Sequence, residues 1–91
     1  MNVTDRPNEL RYEIEADGEV AGFIMYRLEP GLVDLVHTDV APKWEGKGVG
    51  AALVRGALED IRARGLKVRP TCPFVRAYIR RHPEYQDLVA P

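Results

Sequence analysis

The sequence has one cysteine, almost no net charge and no long apolar run. Cys72 alone cannot form an internal disulfide, so the chain suits a reducing compartment. A net charge of −1 gives no general attraction to nucleic acid or to an anionic membrane. We expect no signal peptide, and no apolar run approaches the length of a membrane span. These absences predict a cytoplasmic protein with neither nucleic acid nor membrane as a partner, and we expect no metal site.

The length and apolar content predict one folded unit. A chain of 91 residues is close to the smallest size at which a single core suffices, and 45% of its residues are hydrophobic. We therefore expect one compact domain over residues 1–91, with residues 1–8 frayed. Such a small domain is expected to be a monomer or a weak homodimer.

Three strands are predicted first. Apolar and polar residues alternate over Leu10–Ala16, which is typical of a half-buried strand, and Asp17-Gly18 is a hairpin turn. Val20–Leu28 is apolar on both faces and predicts a central strand covered on both sides. Pro30-Gly31 suits a type II turn and leads into a third strand, Leu32–Val40. These segments predict an antiparallel β-meander.

An α-β-α segment is predicted to follow. An apolar stripe over Leu53–Ile61 indicates an amphipathic helix, which Gly65 would end as its C′ residue. Leu66–Arg69 is a short strand candidate. Pro73 suits the first position of a second helix, Phe74–Arg81, with Thr71 or Cys72 as its cap. The sequence predicts an α/β (α+β) fold, in which a mixed sheet is flanked by helices.

The most informative stretch is the glycine run between the third strand and the first helix. Gly46, Gly48 and Gly50 allow a loop whose backbone N–H groups turn inward, and the helix dipole points at the same spot. This arrangement favours a phosphate or pyrophosphate ligand. It is not a Walker A loop, because Gly48 follows Lys47, and it lacks the acidic residue of a dinucleotide fingerprint. A glycine-rich turn without a ligand is the alternative.

These residues resemble a known family. The run from Val40-Ala41-Pro42 through Glu45–Gly50 into the helix is similar to the acetyl-CoA-binding motif of the GNAT N-acetyltransferase superfamily. His37-Thr38 before the loop and the run Cys72–Val75 after the next strand are similar to its compact GNAT-like branch, as is the ending His82–Tyr85. The resemblance extends over about residues 10–89.

The resemblance implies an acetyl-CoA-dependent N-acetyltransferase that transfers an acetyl group to an amine acceptor, a small molecule or a protein. The thioester would enter where the third strand and Leu66–Arg69 splay apart, with the pantetheine arm on the backbone of Thr38, Asp39 and Val40. The pyrophosphate would bind to backbone N–H groups of Glu45, Gly46, Lys47, Gly48, Val49 and Gly50. Glu45 departs from the usual Gln or Arg of the superfamily. Because the loop binds through backbone donors, we expect this to have a modest effect, in the direction of weaker CoA affinity. The alternative is a non-catalytic CoA-binding or protein-interaction module.

Two side chains are the candidate catalytic residues. His37 would accept the proton of the attacking amine, and the N–H of Val40 would stabilise the oxyanion. Cys72, at a helix N-terminus that would lower its thiol pKa, would carry a transient acetyl group or line the acetyl pocket. Each has a plain alternative, as a packing histidine and as a small buried hydrophobe. Asp34 matches the strand position at which some GNAT enzymes carry an acidic base. It is expected on the strand face opposite His37, and a solvated strand residue is favoured over a catalytic one.

Other residues near this region have weaker assignments. Tyr78 could protonate the leaving thiolate, but its helical spacing from Phe74 favours a core position. Trp44 is expected to be an exposed loop aromatic. The cluster of Arg76, Arg80 and Arg81 is expected to be a solvated helix face, with steering of CoA phosphates as the alternative.

Overall fold

A computed structural model describes residues 1–91 as one five-stranded sheet with two α-helices. The strands are β1 (Asn2–Arg6), β2 (Arg11–Ala16), β3 (Glu19–Glu29), β4 (Leu32–Val40) and β5 (Lys67–Pro70); the helices are α1 (Val49–Ala63) and α2 (Pro73–Arg81). Short 3₁₀ turns cover Pro7–Glu9, Pro42–Trp44 and Pro83–Leu88. The strand order is β1-β2-β3-β4-β5, with antiparallel pairs up to β4 and a parallel β4–β5 pair. The predicted meander followed by α-β-α is confirmed.

The start of the chain is a strand, which corrects the expectation that residues 1–8 fray. β1 pairs with β2 along its whole length, from Asn2 opposite Glu15 to Arg6 opposite Arg11. Val3 packs onto α1 at Gly56, where an added Cβ would lie 2.7 Å from the Cβ of Val3. This strand could not be detected from the sequence, because only one of its residues, Val3, is strongly apolar.

The predicted turns adopt the expected backbone. Asp17 and Gly18 both have positive φ, 51° and 77°, as a primed two-residue hairpin turn requires. Gly31 has φ 72°, the value that its position in a type II turn demands. These turns fix the order of β2, β3 and β4.

Helix α1 supplies much of the core. Its apolar stripe, Leu53, Val54, Ala57, Leu58 and Ile61, is fully buried. The helix ends in a Schellman arrangement, because the N–H of Leu66 donates to the carbonyl of Ile61 at 3.2 Å and Gly65 has φ 69°. Burial of these side chains holds α1 against the sheet.

Both helices lie on one face of the sheet, so the prediction that β3 is covered on both sides is wrong. Ile24 and Tyr26 are buried beneath the helices, and α2 packs beside α1 in the same core cluster. On the other face, Met25, Arg27 and His37 are exposed. We call this uncovered side the open face.

Neither α1 nor α2 combines the length and the apolar character of a membrane-spanning helix.

A β-bulge changes the facing of residues along β4. Met25 pairs with His37 whereas Tyr26 pairs with Leu35, so Val36 is an extra residue. Because Asp34 pairs with Arg27, both Asp34 and His37 lie on the open face, and the prediction that they face opposite ways is wrong. A sequence count of alternating residues cannot detect an inserted one.

Candidate functional site

The glycine loop presents unused backbone donors in front of α1. Gly46 and Gly48 adopt φ 76° and 78°, in the left-handed region that favours glycine. The first hydrogen bond of the helix runs from the N–H of Ala52 to the carbonyl of Gly48 at 3.1 Å. None of the six N–H groups from Gly46 to Ala51 donates to a protein acceptor. Such donors at a helix N-terminus fit a phosphate group.

A cleft of about 350 Å³ lies beside this loop. Val40 at the end of β4, Trp44 and Phe74 line it together with loop residues. Gly50 lies so close to Phe74 that an added Cβ would be 2.8 Å from the ring. Phe74 is 46% exposed and is not a core residue. Sequence reasoning assigned it no role; its position next to Pro73, at the start of a helix, was the available signal.

The cleft lies at the end of β4, beyond the point where β4 and β5 diverge. Their pairing ends at Leu35 and Pro70, and β4 continues to Val40 beside β3 alone. The N–H of Ala41 donates to β3, at the carbonyl of Ala21. Because successive amides of a strand point in opposite directions, the amides of Val40 and Thr38 face the divergence. By the same alternation, Asp39 directs its amide towards β3, away from the predicted pantetheine path.

Cys72 is the N-cap of α2 and is buried against β4. Its sulfur lies 3.4 Å from the Thr38 hydroxyl. Burial opposes ionisation, but hydrogen bonds from the Thr38 hydroxyl and from backbone N–H groups at Val75, Phe74 and Thr38 hold the thiol pKa below its usual range. The lowered pKa of Cys72 agrees with the sequence prediction. The Thr38 amide is therefore directed at Cys72.

His37 and Cys72 lie on opposite sides of β4. His37 is exposed on the open face, whereas the neighbouring Thr38 directs its side chain towards Cys72 on the helix side. The structure thus brings both residues to the same segment of β4 but not to one surface.

Asp34 is buried rather than solvated. Its carboxylate accepts a hydrogen bond from the Thr71 hydroxyl at 2.5 Å, and Arg69 lies 3.7 Å away. These contacts tie β4 to the segment between β5 and α2. Asp34 therefore has a structural role that sequence reasoning missed.

Trp44 is partly buried and anchored to β3. Its indole N–H donates to Glu19 at 2.9 Å, and the ammonium groups of Lys43 and Lys47 lie 5.5 and 5.6 Å from its ring centre. The expectation of an exposed loop aromatic is thus corrected. Lys47 and Glu45 are exposed on the loop itself.

Tyr78 is buried, as its spacing predicted, and burial raises the pKa of its hydroxyl. Its ring stacks on His82 at a centroid distance of 4.1 Å. It does not line the cleft at Val40. Among the α2 arginines, Arg76 donates to the carbonyl of Thr71, and Arg80 and Arg81 are exposed.

Comparison with known proteins identifies the family to which this chain belongs. Residues 11–88 match the family of GCN5-related N-acetyl-transferases. The chain belongs to this GNAT family. The matched range contains the loop, the end of β4 and Cys72, and it leaves out β1.

The chain is also similar to individual proteins and solved structures. The mouse (Mus musculus) Protein NATD1 is 31% identical over 62 residues, which cover 66% of this chain and 56% of that protein. The chain thus spans about half the length of such curated relatives. A GCN5-like protein from Staphylococcus aureus superposes with a TM-score of 0.73 at 24% identity, covering 98% of this chain and 87% of that one. A ribosomal-protein-alanine N-acetyltransferase from Brucella melitensis gives a TM-score of 0.53 at 20% identity, covering 89% and 62%. Both structures share the fold.

Proposed function

We propose that the protein is an acetyl-CoA-dependent N-acetyltransferase. The observation that carries this proposal is the row of six unused N–H groups from Gly46 to Ala51, in a GNAT fold, beside a cleft at the end of β4. Backbone donors and a helix dipole suit the pyrophosphate of CoA. The cleft between Val40 and Phe74 suits the narrow pantetheine arm.

The mechanism requires few protein groups. Acetyl-CoA would supply an activated acetyl thioester, whose carbonyl carbon a neutral amine would attack directly. The new C–N bond replaces the C–S bond, and CoA leaves as a thiolate that takes up a proton. The N–H of Val40, which faces the divergence, is the proposed donor to the carbonyl oxygen as negative charge develops there. Removing one such donor typically costs about 10²–10³ in kcat.

Proton transfer is assigned to His37. Its exposed position on the open face would let it accept a proton from an amine that approaches from that side. Cys72 is assigned to the opposite side of β4, where its buried thiol lies beside the Thr38 hydroxyl and would contact the acetyl group; it is not among the residues that line the cleft at Val40. The acceptor is an amine of a small molecule or of a protein.

One observation favours a second candidate, a non-catalytic CoA-binding module. No helix covers the open face, so an acceptor would meet exposed side chains such as Met25 and His37 and a cleft of about 340 Å³ whose lining includes Phe23 and Asp39. Such a surface could retain CoA binding without efficient transfer.

Calorimetric titration with acetyl-CoA tests the binding site. The parent should bind, and Gly48→Glu should weaken binding about a hundredfold, because the carboxylate competes for at least two charge-assisted hydrogen bonds. The matched control is Gly31→Glu, which imposes similar strain at φ 72° and has open space around it at the opposite end of β4. Loss of binding in both variants, or no binding by the parent at millimolar acetyl-CoA, would contradict the proposal.

Transfer assays separate the two candidates. His37→Ala and Cys72→Ala should lower acetyl transfer to an amine panel while acetyl-CoA affinity stays near that of the parent. Binding by the parent without transfer to any amine tested would favour the non-catalytic module.

A further inference from the structure

A second cleft lies on the other side of the first turn of α1. Its volume is about 330 Å³, and its lining includes Lys47, Arg55, Tyr78 and His82. No carboxylate lines it. Three basic side chains around one opening, with no acidic neighbour in the wall, favour an anionic ligand.

The charge of Arg55 is not used inside the protein. Within α1, Arg62 pairs with Asp87 at 3.0 Å and Arg64 pairs with Asp60 at 3.1 Å. Arg55 forms no ion pair or side-chain hydrogen bond, and Lys47 forms no ion pair either. Burial raises the pKa of Tyr78, and the nearby positive charge of Arg55 partly offsets this rise. Arg55 is thus an unpaired cation in the lining of this cleft, and it also lines a neighbouring cleft together with Glu59.

The two clefts are joined through the glycine loop. Both are lined by Gly48 and Ala51, so the unused N–H groups lie between them. A molecule whose pyrophosphate binds there, with its acyl end in the cleft at Val40, would extend its nucleotide end into the second cleft. In CoA that end carries a ribose with an additional 3′-phosphate.

We propose that Arg55, together with Lys47 and His82, binds the 3′-phosphate of CoA and makes the protein selective for CoA over 3′-dephospho-CoA. This inference rests on the proposed function, because it requires CoA at the loop. Arg55 is the principal contact, since a guanidinium binds phosphate with paired donors. The His82 ring stacks on Tyr78, which holds it in place. The carboxylate of Glu84 lies 3.8 Å from His82 and weakens the attraction of His82 for a phosphate.

Calorimetry with CoA and 3′-dephospho-CoA tests the inference. The parent should bind CoA about tenfold more tightly, the factor expected from one charge-assisted hydrogen bond at an exposed site. Arg55→Gln should remove this difference, because it should weaken the binding of CoA and leave the affinity for 3′-dephospho-CoA unchanged. The fold should persist, since Arg55 is exposed and glutamine is a good helix former. The matched control is Arg80→Gln, an exposed arginine that lines neither cleft.

The outcomes separate this inference from the proposed function. Equal affinities of the parent for the two ligands would overturn the 3′-phosphate site but leave CoA binding intact. A preference that persists in Arg55→Gln, or that disappears in Arg80→Gln, would also overturn it. Failure of the parent to bind either ligand would overturn both proposals.

Discussion

Substituting Gly56 by alanine tests whether β1 is docked on α1. An added Cβ would lie 2.6 Å from one Cγ and 2.7 Å from the Cβ of Val3, an atom attached directly to the β1 backbone. Alanine in a helix gains about 1 kcal/mol over glycine, whereas overpacking of this kind costs about 2 kcal/mol. We expect Gly56→Ala to lower the free energy of unfolding by about 1 kcal/mol and Tm by about 4–8 °C.

Urea denaturation followed by circular dichroism measures this change. Gly50→Ala is the matched control in the same helix, because its Cβ would crowd only the far end of the half-exposed Phe74 ring, which can move, and would lie at an ordinary contact distance of 3.5 Å from a methyl group of Val40. That variant should be no less stable than the parent. In a Val3→Ala background, the penalty of Gly56→Ala should shrink, since two of the three crowding atoms are gone. If Gly56→Ala instead raised the unfolding free energy by about 1 kcal/mol, helix propensity alone would be acting and β1 would not pack there.

Two further predictions concern titrating groups. Thr38→Val removes the hydroxyl beside Cys72, so thiolate absorbance should appear at higher pH than in the parent, with Cys72→Ser as the blank; an unchanged titration would show that the hydroxyl does not stabilise the thiolate. Hydrogen bonds from Arg11 and Arg6 hold the pKa of Glu13 below its usual range. The Glu13 carboxylate therefore contributes its full stabilisation above the pH range where glutamate titrates in the unfolded chain. This stabilisation is lost as the pH falls through the lowered pKa of the folded state. The parent should therefore lose unfolding free energy more steeply than Glu13→Gln between about pH 5 and 3, and parallel curves would contradict this assignment.

Much of the local structure could be predicted from the sequence. The bounds of β4, residues 32–40, were predicted to the residue, and the apolar stripe of α1 is fully buried as expected. Gly18, Gly31 and Gly65 all adopt the positive φ that their turns or helix end require. These features are local, because they depend on backbone freedom and on side-chain periodicity within a few residues.

The candidate site could be predicted only in part. The loop was located from its glycines, since a nest of N–H groups is a property of consecutive residues. Phe74 and Arg55 were not assigned, because their roles depend on how closely α2 packs beside the first turn of α1. The residues of β4 were assigned without knowing which amides face the divergence, which depends on the pairing of β4 with β3.

The sequence by itself determined the order of β2 to β5 with α1 and α2, the turns, the position of the glycine loop and the resemblance to the GNAT family. Only the tertiary structure decided that β1 joins the sheet, because a single apolar residue, Val3, finds its partner 53 positions away at Gly56. It also decided that both helices cover one face, and that the bulge at Val36 turns Asp34 and His37 to the same side. Contacts between distant segments set the register and facing of each strand, and no pattern within one segment encodes them.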